Sequence, residues 1–248
     1  MMFLVIASMI LVGRAAAADC EAFHTGLLRQ PVNAYSSLVI LAMGLWILLL
    51  AARGEPRRRG ELIAFGAAMS ITGVGSLLLH GPAPRWALWF HDLSGLTVLL
   101  LVAALNLGML LGWTFRRRLR LVAAVLVPLA LELAILPTST VPIAWALAPA
   151  AALSELVVLV GSSRRSLDPR SSARRTRAWL IAAGTIALAG AAYLLGRSGS
   201  PLCHPASVLQ WHAVWHVLVA VSATAFAYAA FLFDENAGHD RLRGAART

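Results

Sequence analysis

The sequence predicts an all-α polytopic membrane protein, a seven-transmembrane helix bundle with its N-terminus outside and its C-terminus cytoplasmic. Three observations carry that expectation. Of the 248 residues, 59% are hydrophobic and only 13% are charged, about half the charged share of a soluble domain. The apolar residues are gathered into runs near the ~20 residues that one bilayer crossing needs. The basic residues, all Arg, fall in clusters between alternate runs, which is the signature of topology. A net charge of +10 would suit a nucleic-acid partner if it lay on one soluble face. Here it is divided among short connections, so nucleic acid is excluded.

The elements follow in order. Residues 1–18 form an apolar stretch ending in small residues, Ala15 to Ala18, and read as a signal peptide. Arg14 follows the apolar run rather than preceding it, so a short uncleaved helix is the alternative. Residues 19–248 then form one domain with spans near 32–52, 61–80, 86–112, 119–136, 141–161, 178–196 and 207–233. No repeat, appended soluble domain or obligate protein partner is evident. Arg53, Arg57, Arg58 and Arg59 follow the first span. Arg116, Arg117, Arg118 and Arg120 follow the third, and Arg164, Arg165, Arg170, Arg174, Arg175 and Arg177 follow the fifth. Arg241, Arg243 and Arg247 lie in the tail. Against these seventeen, the other side of the mature chain has Arg29, Arg85 and Arg197, so the arginine-rich side is cytoplasmic. Trp86, Trp89, Trp113 and Trp179 stand near span ends, as interfacial anchors do.

Polar residues interrupt this pattern at one depth. Ser76 and His80 close the second span. His91 and Asp92 open the third across the short hairpin Gly81 to Arg85. His212 and His216 open the last. At about 1.5 Å per residue, all lie within roughly the outer third of the bilayer. His212 and His216 are four residues apart and share a helix face, as do Ser76 and His80. Imidazoles in hydrocarbon are costly unless partnered, and a metal ion held by His80, His212 and His216 would partner all three. Three protein ligands and an open position is the pattern of catalytic zinc, although ligand type alone also admits iron, nickel or copper. Asp92 is then placed to take a proton from water, and Ser76 to hydrogen-bond the water or a developing oxyanion. Interhelical hydrogen bonding is the plainer explanation for a single membrane histidine. His91 points to another face of its helix, His204 and His239 read as solvated, and Glu132 and Glu155 are the remaining intramembrane acids. Cys20 and Cys203 both fall outside, where the compartment favours a disulfide over two free thiols.

These residues resemble a known family. Ser76-x3-His80 preceded by Gly73-Val74-Gly75, a following Asp92, and Trp211-His212 through Trp215-His216 look like the alkaline ceramidases. Those enzymes belong to a seven-span superfamily that also includes the progestin and adiponectin receptors. The resemblance covers the mature chain. It implies a zinc amidase that cleaves ceramide to a sphingoid base and a fatty acid, with His80, His212 and His216 as ligands and Asp92 and Ser76 as acid/base and oxyanion or water contact. It also implies a Cys20–Cys203 bridge. The family's Asp-Trp-Cys-Glu segment contributes to a calcium site. Asp19 and Glu21 are the matching candidates here, but the Trp is missing from Asp19-Cys20-Glu21, which counts against Ca2+.

The expected substrate is a ceramide-like membrane lipid, and the signal peptide and Arg-rich composition point to a bacterial inner membrane with the site toward the periplasm. A receptor or sensor of the related branch, with a structural zinc, is the alternative. A transporter ranks below both, because few polar residues continue toward the cytoplasmic side.

Overall fold

The computed structural model describes residues 19–53, 58–135 and 169–232, together with helical residues at 143, 147, 150, 151, 153, 154, 156 and 157. The leader, most of the expected 141–161 span, Glu155, His239 and the arginines at 57, 164 and 165 and in the tail lie outside the described residues. Among the described residues there are six long helices: α1 (Pro31–Arg53), α2 (Arg59–His80), α3 (Ala87–Leu110), α4 (Phe115–Ile135), α5 (Pro169–Leu195) and α6 (Trp211–Ala227), the last continuing into a π-helical turn, Tyr228–Leu232. The only β pairing among the described residues is an isolated bridge between Asp19 and Arg197. By length and composition, five of the described helices can cross a membrane: α1, α2, α3, residues 173–195 of α5, and α6 with its π turn. The α4 helix begins with Arg116, Arg117, Arg118 and Arg120, which leaves it a shorter apolar stretch. Leu45, Leu131, Ile181 and Leu188 stand exposed on the outward faces, as side chains in lipid would.

Three helix starts differ by four residues or more from those expected, and α4 begins at Phe115 rather than near 119. The α5 helix starts at Pro169 rather than near 178, because the Ser- and Arg-rich segment continues the helix and Pro is well tolerated at a first helical position. The α6 helix starts at Trp211 rather than 207. The Gln210 side chain donates to the carbonyls of His204, Ser207 and Pro205 and holds the preceding residues as a turn.

The helices pack in the order α5, α6, α1, α2, α3, α4. Between α1 and α2 the contact is intimate. A Cβ added at Gly73 would collide with the backbone of Leu41, so only glycine lets the helices approach this closely. The core below is aromatic and aliphatic. Phe65 packs against Phe226 and Phe231, with ring centroids 5.0 and 5.9 Å away, beside Ile40, Ile47, Leu62 and Met69. Trp179 is buried in this core, 5.7 Å from Phe226, and is therefore a packing residue and not an interfacial anchor.

At the arginine end, two of the arginines read as loop charges fold inward. Arg118 Nη1 donates to Glu61 at 2.6 Å, and its Nε and Nη2 donate to the Trp113 carbonyl. Arg58 pairs with the same Glu61 and donates to the Ala230 carbonyl. One buried carboxylate thus joins α2, α4 and the π turn.

Replacing Gly73 by valine is expected to force α1 and α2 apart and to destabilise the fold by about 1–3 kcal/mol. Thermal unfolding in detergent reads this as a lower midpoint than that of the wild type.

Candidate metal centre

Three imidazoles meet at the end of the bundle opposite the Glu61 cluster. His80 is the last residue of α2, and His212 and His216 face inward from the first two turns of α6. All three are buried, with His80 and His216 fully so. Their ring centroids are 4.6 to 5.4 Å apart, and one ligand nitrogen from each lies within 4.8 Å of the others.

Hydrogen bonding decides which nitrogens face the centre. The Gln30 amide nitrogen donates to the Glu21 carbonyl at 2.9 Å, which turns its oxygen toward His80 Nδ1 at 2.7 Å. His80 therefore carries its proton on Nδ1, and its Nε2 is a buried lone pair with no protein partner. Ser36 spends its hydroxyl proton on the Asn33 carbonyl, so its oxygen accepts from His216 Nδ1 at 2.8 Å. That leaves the lone pair of His216 on Nε2. For His212, the Asp19 carboxylate lies 3.1 Å from Nδ1. This contact is within ion-pair range but is not aligned as a hydrogen bond. Hydrogen bonds thus engage Nδ1 of His80 and His216, and a carboxylate lies beside Nδ1 of His212, as outer groups do behind metal-holding imidazoles.

Ser76 belongs to the same centre. Its hydroxyl lies 2.8 Å from that of Ser37 and 3.1 Å from His216 Nε2, and it can donate to either. The donor set fits a metal ion: the Nε2 atoms of His80 and His212 are buried with no protein partner, and one ligand nitrogen of each histidine lies within 4.8 Å of the others.

Residues 19–30 lie across this end of the bundle. The N–H groups of Arg29 and Gln30 donate to the carbonyls of Gly81 and His80, and that of Cys20 donates to Gly196. Cys20 is joined to Cys203 by a disulfide with an S–S distance of 2.08 Å. A Cβ on Gly196 would come 2.6 Å from the His212 nitrogen, so a side chain there would separate α5 from α6. Glu21, a calcium candidate by sequence, gives both carboxylate oxygens to the first turn of α1, accepting from the N–H groups of Val32 and Asn33 at 2.7 and 2.8 Å. Asp19, the other candidate, accepts from Arg197 at 2.6 Å. Burial pushes its carboxyl above the ordinary range; His80, Arg197 and His91 pull it down, and Asp92 pushes it up. Among the described residues, the three histidines form the one gathered set of three or more metal-ligating His, Cys, Asp or Glu side chains, and Asp19 and Glu21 do not join such a set.

Asp92 stands at the edge of the centre, half-buried. Its carboxylate accepts from His91 Nδ1 at 2.8 Å, and the His91 ring lies 6.1 Å from that of His80. His91 is therefore a neighbour of the site. Glu132 lies on the exposed face of α4 and His204 is exposed in its loop. Gln30, Ser36, Ser37, Tyr193 and Arg197 were not singled out as site residues from the sequence. Tyr193 packs 6.2 Å from His212 and 5.7 Å from Trp215, beneath the Arg197 guanidinium. An isolated Ser, Gln or Tyr carries no spacing signal, so only the packing reveals them.

No family model, curated protein or solved structure matches the chain, so the chemistry of the centre rests on its own geometry.

Purified protein is expected to carry about one metal ion per chain, and His216→Ala to carry essentially none. Elemental analysis distinguishes these outcomes, and a variant that kept its metal would remove His216 from the ligand set.

Proposed function

We propose that the chain is a zinc-dependent intramembrane amidase that hydrolyses the N-acyl bond of ceramide or a ceramide-like lipid, releasing a sphingoid base and a fatty acid. The observation that carries this reading is the convergence of three buried imidazoles near a hydroxyl and a carboxylate in an apolar bundle. Neutral imidazole suits zinc, and three protein ligands leave a position open. Zinc, when bound, lowers the pKa of water toward about 7 and polarises a carbonyl.

The chain's own groups divide the remaining work. Asp92, oriented by His91, takes the proton of the attacking water and returns it to the departing nitrogen. A C–O bond forms to the acyl carbon and the C–N bond breaks, leaving a carboxylic acid and an amine. Ser76 turns its hydroxyl from Ser37 toward the carbonyl oxygen as charge accumulates there. The apolar surroundings suit acyl chains and exclude competing water. In this reading seven helices span the bilayer, the N-terminus is outside, the C-terminus is cytoplasmic, and the site faces the outer leaflet of a bacterial inner membrane. Neither the zinc assignment nor the amidase reading requires calcium.

Incubated with an N-acyl sphingoid lipid in detergent, the protein is expected to release fatty acid. Ser76→Ala is expected to lower kcat by about 10²–10³-fold, and Asp92→Asn by about 10²–10⁴-fold, with metal content retained in both. Tight lipid binding without turnover, in protein with its metal in place, would favour the receptor reading.

A further inference from the structure

The Asp19 carboxylate lies within ion-pair range of two of the histidines from outside the centre. Its Oδ1 lies 3.1 Å from His212 Nδ1, and its Oδ2 lies 3.9 Å from His80 Nδ1. Its position is fixed on every side. The next residue, Cys20, is tied to Cys203. The Asp19 backbone pairs with Arg197, and its carbonyl accepts from the Ser198 hydroxyl at 3.1 Å. The Arg197 guanidinium donates to Oδ1 at 2.6 Å and lies over the Tyr193 ring, 5.1 Å from its centroid.

These contacts also bear on whether a second cation belongs here. A hard dication such as calcium takes about 6–8 oxygen ligands, several of them carboxylate. Glu21 has both oxygens committed to the N-terminus of α1. Gln30, which reaches both Glu21 and His80, is a neutral amide. The Asn33 side-chain amide is buried without a partner among the described residues, one neutral oxygen where a hard dication needs several charged ones. The local positive charge is already supplied by Arg197, whose planar fork suits a carboxylate. The residues present therefore do not fit calcium.

We propose that Asp19 and Arg197 form a positioning pair for the metal centre, in which the Asp19 carboxylate orients the His212 imidazole and the Arg197 guanidinium holds that carboxylate where a second metal ion would otherwise be needed. Asp19 acts through His212: it fixes the proton on Nδ1, leaves Nε2 free, and raises the basicity of the ring, as carboxylates behind metal-bound imidazoles do. Arg197 acts one step further out, by keeping the carboxylate on His212. The inference rests on the metal reading of the three histidines and deepens it.

Zinc affinity, measured by chelator competition on the purified full chain, tests the pair. Wild type, Asp19→Asn, Asp19→Glu and Arg197→Gln are compared, with helicity and the closed disulfide checked for each. Asp19→Asn is expected to bind zinc about 10–100-fold more weakly. Arg197→Gln is expected to weaken it less, and Asp19→Glu to recover part of the loss. Millimolar calcium is expected to leave the affinity and Tm of the wild type unchanged. Wild-type affinity in a folded Asp19→Asn variant would overturn the positioning role. A calcium-dependent rise in wild-type Tm that is lost in Asp19→Asn or Asn33→Ala would overturn the assignment to Arg197. Wild-type protein that binds no zinc would instead overturn the metal reading itself, and the pair with it.

Discussion

Three neutral imidazoles buried together in an apolar bundle have six ring nitrogens to satisfy, and water is not at hand to do so. This constraint shapes the histidine end of the molecule. Each outer nitrogen is met by a different residue: Gln30 from the segment before α1, Asp19 from the far end of that segment, and Ser36 from the first turns of α1. The inner nitrogens are then left to one another and to whatever they hold. An unsatisfied polar group in such surroundings costs several kcal/mol, so a polar set this well ordered is suited to an occupant that compensates for it. The close approach at Gly196, the disulfide and the segment over the bundle end can all be understood as ways of keeping the outer partners in register.

The two ends of the bundle solve the same electrostatic problem differently. At the arginine end, Glu61 is neutralised from within the protein by Arg58 and Arg118, and the carbonyls of Trp113 and Ala230 take up further guanidinium protons. The cluster is closed and joins three elements. At the histidine end, among the described residues, no carboxylate is paired with the Nε2 atoms. A closed ionic cluster holds helices together, whereas an open set of lone pairs is suited to binding. The aromatic core around Phe65, Phe226 and Phe231 separates the two ends.

The ligand triad was legible in the sequence because helical periodicity does the geometric work. Four-residue spacing puts His212 and His216 on one face, and a five-residue hairpin returns α3 beside the end of α2. Arginine placement and apolar length marked the helices from α1 to α6, within a few residues except where polar residues prolonged α5 or a Gln-centred turn delayed α6. The outer partners were not legible. Gln30, Ser36 and Ser37 act through single hydrogen bonds across element boundaries, and nothing in their own spacing marks them. Asp19 and Glu21 were visible as acids. Their partners, an arginine in one case and a helix N-terminus in the other, depend on how the chain folds back over the bundle. Trp179 was misplaced for the same reason: nearness to a span end says nothing about which way a ring faces.

The bridge between Cys20 and Cys203 closes a separation of 183 residues, and that has a consequence for how the protein is made. The segment bearing Asp19, Glu21 and Gln30 leaves the ribosome before the six described helices, and Cys203 emerges only after five of them. Synthesis of those five helices therefore precedes closure of the bridge. A chain cut short before Cys203 has neither the bridge nor His212 and His216.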